Sequence, residues 1–201
     1  MGLVSLGLEM MGGDAARATF ALRPEAVRDG ELWRLATAHL VHLGQAHLVL
    51  NFVGMALIAV TLWPVLTLPR LVRVALVSGA VISGGMMVLL PDGQSYVGFS
   101  AIAHGVFAYG GLMLLRQRDG FGVVVTGCLA GKLLLEAVSG ALPTTAMMIG
   151  GEVSYLSHVL GAVGGWIATP LDAAPGMVRR LRVGALGLGA VLVVVQAGLW
   201  T

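Results

Sequence analysis

The stretch VGFSAIAHGVFAYGGLMLL, residues 97–115, contains no Asp, Glu, Lys or Arg. At about 1.5 Å per helical residue it is roughly 28 Å long, close to the thickness of the hydrocarbon core of a bilayer. It reads as one membrane-spanning helix. The same pattern recurs on either side, at Ala46–Trp63, Val74–Leu90, Phe121–Leu142, Val153–Leu171 and Val183–Trp200. The composition agrees: 57% of the 201 residues are hydrophobic and only 11% are charged, against about 25% charged in soluble domains. A soluble fold would leave too much apolar surface in water, and disorder needs low hydrophobicity. The net charge of +2 is too small to suggest a nucleic-acid partner. The single cysteine, Cys128, excludes an internal disulfide framework and a Cys-rich metal site. The expected architecture is all-α, a polytopic transmembrane bundle of six apolar spans in a single membrane domain over residues 1–201.

Charge placement divides that domain. Met1–Gly13 is apolar but too short to span, lacks the basic start of a signal peptide, and reads as a partial N-terminal helix whose beginning is missing. Residues 14–45 mix Arg17, Arg23, Arg28 and Arg34 with Asp14, Glu25, Asp29 and Glu31, and read as an amphipathic loop with short helices. Residues 46–171 form the expected core, and 183–200 an additional C-terminal span. Arg70 and Arg73, Arg116 and Arg118, and Arg179, Arg180 and Arg182 occupy alternate linkers, whereas Pro91–Tyr96 and Pro143–Glu152 hold no Lys or Arg. The positive-inside rule puts the arginine linkers in the cytoplasm, and the 14–45 loop on the outer side.

Strongly polar residues inside spans are costly and are functional candidates by default. Here they are His47, Asn51, Ser100, His104, Lys132, Glu136 and His158. Counted from the outer ends of their runs, Asn51 and His158 lie about five residues in and Ser100 about three, so all three sit roughly 5–8 Å below the outer boundary. Ser100 begins its helix, where backbone N–H groups are unpaired. A serine needs a base to become a nucleophile, and His158 can supply it. His47 and Asn51, at i and i+4, share a face and can both donate to a developing oxyanion.

These residues resemble the rhomboid family of intramembrane serine proteases. The matching pieces are Glu31-Leu-Trp-Arg34, His42 followed by His47 and Asn51, Gly98-Phe-Ser-Ala101, and Ser157-His158-x-x-Gly161. The resemblance runs from about residue 20 to 170. It implies Ser100 as nucleophile, His158 as base with no third acid member, and His47, Asn51 and the Ser100 N–H as oxyanion hole. It further implies that Trp33 and Arg34 brace the first loop with Glu31 as polar partner, that His104 packs under His158, and that no cofactor takes part. The substrate would be a transmembrane protein reached through the lipid, cut near the outer face of a bacterial inner membrane. Thr37-x-His-Leu-Val-His42 and Ser100-Ala-Ile-Ala-His-Gly105 look most like the rhombosortase branch, thought to process GlyGly-CTERM tags: a small-residue motif, a transmembrane helix and a basic tail. The chain departs from the family pattern at Ala101, where the GxSG motif has its second glycine, in its fragmentary first helix, and in the extra final run.

Other features have plainer readings. Lys132 and Glu136, at i and i+4, read as an ion pair that lowers the cost of insertion, with a proton or ion pathway as the lesser alternative. His39, His42 and His47 hold no carboxylate among them and no HExxH motif exists, which argues against a metal site. Gly161 and Gly165 form a GxxxG step, and Gly84, Gly85, Gly110 and Gly111 are further close-packing candidates. Two other functions fit parts of the sequence. One is a non-proteolytic relative that binds or escorts transmembrane clients. The other is a small transporter built around Lys132 and Glu136, for which no inverted repeat is visible. Oligomeric state is not legible in the sequence.

Overall fold

Among the described residues the apolar runs form helices, and glycines and prolines set where several of them start. In the computed structural model, which describes residues 5–7, 13–139 and 154–170, three short helices form the loop before the core: α1 (Gly13–Phe20), α2 (Pro24–Arg28) and α3 (Arg34–Thr37). Five longer ones follow: α4 (Gln45–Leu62), α5 (Leu68–Leu89), α6 (Ser100–Arg116), α7 (Phe121–Ser139) and α8 (Tyr155–Ile167). Among the described residues the only β-type pairing is the isolated bridge between Leu22 and Tyr96. It ties the loop to the linker ahead of α6.

Three of these helices, α4, α5 and α7, are long and apolar enough to cross a membrane. Their outward faces are apolar: Val60, Leu76, Val88, Val123, Leu134 and Val138 are all more than 60% exposed. Side chains of this kind are stable when the surrounding solvent is lipid. The protein is therefore an integral membrane protein.

Of the six expected runs, α4, α5 and α7 are the ones shown long and apolar enough to span among the described residues. Helix α6 has 17 residues and α8 has 13, both shorter than their apolar runs. Gly98, with φ of +117°, interrupts the run that began at Val97, so α6 starts at Ser100. Ser154 caps α8 by accepting from the Ser157 N–H at 3.4 Å. In the other direction, α5 starts at Leu68 with Pro69 in its first turn, six residues before the apolar run. Its early Arg70 turns back to the Val65 carbonyl at 3.0 Å. The expected span Val183–Trp200, the linker Pro143–Glu152, Arg179, Arg180 and Arg182 lie outside the described residues, as does most of Met1–Gly13.

Helix α6 is the central post, with 14 of its 17 residues buried. It packs against α8, α7, α5 and α4, and α8 also packs against α5. The α6–α8 contact is backbone to backbone. A Cβ on Gly161 would stand 1.9 Å from the Ala101 carbonyl oxygen, and one on Gly165 2.0 Å from that of Gly105. Only glycine permits this approach. Gly85, Gly110 and Gly111 also face close neighbours, but Gly84 meets nothing within 4 Å and is not a packing glycine.

Arg34 organises the preceding loop. It is 6% exposed, pairs with Glu31 at 2.5 Å, and donates to the carbonyls of Ala18 at 3.1 Å and Ala21 at 2.8 Å. Trp33 is half exposed and its Nε1 donates to the Thr19 carbonyl at 3.4 Å. Thr37 Oγ1 donates to the Phe20 carbonyl at 2.9 Å. Arg34→Ala leaves two carbonyls and a carboxylate without these donors. Charge-assisted bonds contribute about 1.5–3 kcal/mol each, so we expect a loss of at least about 2 kcal/mol in stability. Thermal unfolding in detergent, with Arg23→Ala as control, measures it.

Candidate active site

Four elements meet at one end of the bundle: the start of α4, the end of α7, the start of α8 and the Gly98 turn into α6. The linker arginines among the described residues, Arg70, Arg73, Arg116 and Arg118, lie at the other end. Arg70 and Arg73 are in the first turns of α5, and Arg116, the last residue of α6, donates to the Pro170 carbonyl beyond α8.

Ser100 is the first residue of α6 and is 7% exposed. The turn before it is held from three sides. The Gly98 N–H donates to the Ala38 carbonyl at 2.9 Å, Tyr96 donates its hydroxyl proton to the Gly98 carbonyl at 3.0 Å, and His47 fills the space beside Gly98. A Cβ on Gly98 would lie 3.0 Å from His47 Cε1 and 3.3 Å from Nε2. With its positive φ as well, this position suits glycine alone. Ala101 is fully buried, and its carbonyl is the surface on which Gly161 rests.

Ser100 Oγ lies 3.0 Å from His158 Nε2. His158 sits in the first turn of α8 and is 1% exposed. Its other nitrogen, Nδ1, lies 2.9 Å from Glu136 Oε2 on α7. A carboxylate only accepts, so Nδ1 carries the proton and Nε2 is left to accept from the Ser100 hydroxyl. Glu136 Oε1 in turn pairs with Lys132. The His104 ring lies face to face with His158, with centroids 4.0 Å apart and planes 12° apart. Its Nδ1–H donates to the Ser100 carbonyl at 2.8 Å.

The sequence reading took Lys132–Glu136 as a self-contained pair and expected no acid beside His158. The geometry differs, since Glu136 reaches His158 directly. The signal was present in the sequence. Counted from the outer end of its run at Leu142, Glu136 lies about six residues in, the same depth as Asn51 and His158.

His47 and Asn51 are both buried on the first two turns of α4. The Leu43 N–H donates to His47 Nδ1 at 3.3 Å, which puts the ring proton of the neutral imidazole on Nε2. His47 Nε2 and Asn51 Nδ2 have no hydrogen-bond partner among the described residues. Two buried donors one turn apart on α4 are thus left unused, and an unmade buried hydrogen bond is costly. His47, Ser100, Ser157, His158, Met86 and Tyr155 line part of a cavity of about 300 Å³.

His39 and His42 do not join a metal-like cluster among the described residues. His39 Nε2 donates to Ser83 Oγ at 3.1 Å, and His42 meets His47 edge to face at 5.1 Å. Burial pushes both histidines down to about 4, so neither carries charge at neutral pH. His104, Glu136 and His158 do bring three donor atoms within 4.8 Å of one another. Two of those residues are already committed to the chain from Ser100 through His158 to Glu136 and Lys132.

Comparison with known proteins bears on the family. Residues 29–174 match the model of the Rhomboid domain. The chain is 28% identical over 141 residues to a Bacillus subtilis (strain 168) protein named "Putative rhomboid protease YdcA", covering 70% of this chain and 67% of that one. No solved structure matches. A domain match over most of the core, on an integral membrane helical bundle, decides the family: this chain belongs to the rhomboids, a family of intramembrane serine proteases.

Proposed function

We propose that the protein is a serine endopeptidase that cleaves the transmembrane segments of membrane-anchored proteins near the outer face of a bacterial inner membrane. The observation that carries this reading is the 3.0 Å hydrogen bond from Ser100 Oγ to His158 Nε2, at the end of the bundle away from the arginine linkers. A protein that only escorts clients has no need of it.

The substrate helix approaches from the lipid and unwinds near its outer end, exposing one peptide carbonyl in the cavity over Ser100. Ser100 Oγ attacks the carbonyl carbon as its proton passes to His158 Nε2, and the carbonyl π electrons move to oxygen. The oxyanion is met by His47 Nε2–H, Asn51 Nδ2–H and the Ser100 backbone N–H. The tetrahedral carbon then reforms its carbonyl, the C–N bond breaks, and His158 returns the proton to the leaving amine. Water repeats the sequence on the acyl-enzyme, with His158 again taking and returning one proton. None of these steps calls on a cofactor.

Asn51→Ala removes one oxyanion donor while keeping the nucleophile and base. We expect kcat to fall about 10²-fold with little change in KM, in line with the loss of one such donor elsewhere. Initial-rate cleavage measurements in detergent or liposomes read it.

The rhombosortase resemblance narrows the substrate to proteins carrying a small-residue motif, a transmembrane helix and a basic C-terminal tail. Co-expression with such a tagged protein tests the whole reading. The expected result is a mass loss at the client's C-terminus that depends on Ser100. An intact client alongside cleavage of unrelated membrane proteins would refute the narrower assignment, and an intact set of all clients would refute the protease.

A further inference from the structure

A buried histidine base has a tautomer problem. Neutral imidazole must keep Nε2 free of its proton in order to accept from serine, and packing alone does not choose between the nitrogens. Here the choice is made by Glu136. It is 5% exposed and offers Oε2 to His158 Nδ1 at 2.9 Å. Its other oxygen is taken by Lys132, four residues earlier on the same helix. Lys132 is itself largely buried, with 12% side-chain exposure. An isolated carboxylate at this depth is expensive, whereas a paired one is tolerated.

Resting on the protease reading above, we propose that Glu136 is a positioning residue for His158, so that the working unit is Ser100–His158–Glu136 with Lys132 as its counter-ion. His104 holds the plane of the imidazole by stacking at 4.0 Å, and Glu136 holds its tautomer. When His158 takes the serine proton, the imidazolium forms against a carboxylate already in contact. Glu136 stays ionised throughout, so the proton moves only between Ser100 Oγ, His158 Nε2 and the leaving amine. Lys132 has donors only, so it also decides how any group at position 136 is oriented.

That last point separates positioning from mere charge neutralisation. In Glu136→Gln, Lys132 draws the amide oxygen to itself and turns the NH2 towards His158 Nδ1. The imidazole is then forced to carry its proton on Nε2, where it cannot accept from Ser100. We expect kcat to fall about 10³–10⁴-fold, as when the acid of a serine-protease triad becomes an amide, with KM unchanged. In the double variant Lys132→Met with Glu136→Gln, the amide is free to turn its oxygen to Nδ1. We expect kcat to recover at least tenfold over Glu136→Gln alone. In Lys132→Met with Glu136→Leu, no buried charge remains to hinder folding and no acceptor faces His158. We expect it to be as slow as Glu136→Gln.

The measurement is kcat and KM for a transmembrane substrate, per mole of purified folded protein, with Ser100→Ala in parallel. Native kcat in Glu136→Gln or in Lys132→Met with Glu136→Leu would overturn the proposal, as would a Lys132→Met with Glu136→Gln variant no faster than Glu136→Gln. If cleavage requires Ser100 while the Glu136 variants match native, only this inference fails. If cleavage survives Ser100→Ala, the protease reading fails and takes this inference with it.

Discussion

Ser100→Ala is expected to abolish cleavage of transmembrane substrates, with a fall in kcat of about 10⁶-fold, the scale of nucleophile loss in a soluble serine protease. The size follows from the geometry. In the proposed mechanism Ser100 Oγ is the nucleophile, and it hydrogen-bonds His158 Nε2 at 3.0 Å. On that mechanism, removing it leaves the proposed oxyanion donors His47 and Asn51 with no oxyanion to bind. The fold should tolerate the change, because Ala is a good helix former at the first position of α6 and among the described residues the lost hydroxyl hydrogen-bonds His158. Initial rates beside unfolding temperatures check both halves. Native-like stability with no cleavage is the expected pair of results.

The second large effect is expected from Gly161→Ala, the addition of one methyl group. A Cβ there would stand 1.9 Å from the Ala101 carbonyl oxygen, against an ordinary contact of 3.4 Å or more. The obstacle is backbone, so no rotamer change relieves it, and α8 must move off α6 by an ångström or more. Overpacking of this kind costs about 1–3 kcal/mol. The catalytic cost is larger, because the two helices carry Ser100 and His158 and the shift opens the hydrogen bond between them. A misplacement of about 1 Å can cost 10²-fold, so we expect kcat to fall by at least that much and the unfolding temperature to drop. Gly84→Ala is the control. Its Cβ would meet nothing within 4 Å, and both quantities should stay at or slightly above native.

Much of this arrangement was legible in the sequence, for identifiable reasons. The membrane class follows from hydropathy, because lipid selects uniformly for apolar side chains along α4, α5 and α7. Helix boundaries were less legible. Hydropathy does not register that Gly98 adopts a positive φ and delays α6 to Ser100, or that Pro69 starts α5 early and carries Arg70 and Arg73 into a helix. Short α8 illustrates a related limit: a run of apolar residues has the same composition whether it faces lipid or, as with Gly161 and Gly165, another backbone. The motif residues Ser100 and His158 could be picked out because their depths match across two helices. Glu136 was passed over because Lys132, one turn away, offered a sufficient local partner. A carboxylate has two oxygens, and the second reaches across to α8, a contact that local spacing does not encode. Arg34 is similar. Its pairing with Glu31 is readable at i and i+3, but its bonds to Ala18 and Ala21 exist only once the loop has folded.

The most direct test is covalent. Purified native protein treated with a fluorophosphonate probe should be labelled at Ser100, as identified by mass spectrometry of the modified peptide. Labelling should be lost in Ser100→Ala and slowed at least about 10³-fold in His158→Ala, because the hydroxyl is unreactive without its base. Absence of labelling at Ser100 in folded native protein, or labelling that is indifferent to His158, would contradict the assignment of this site as a serine protease centre.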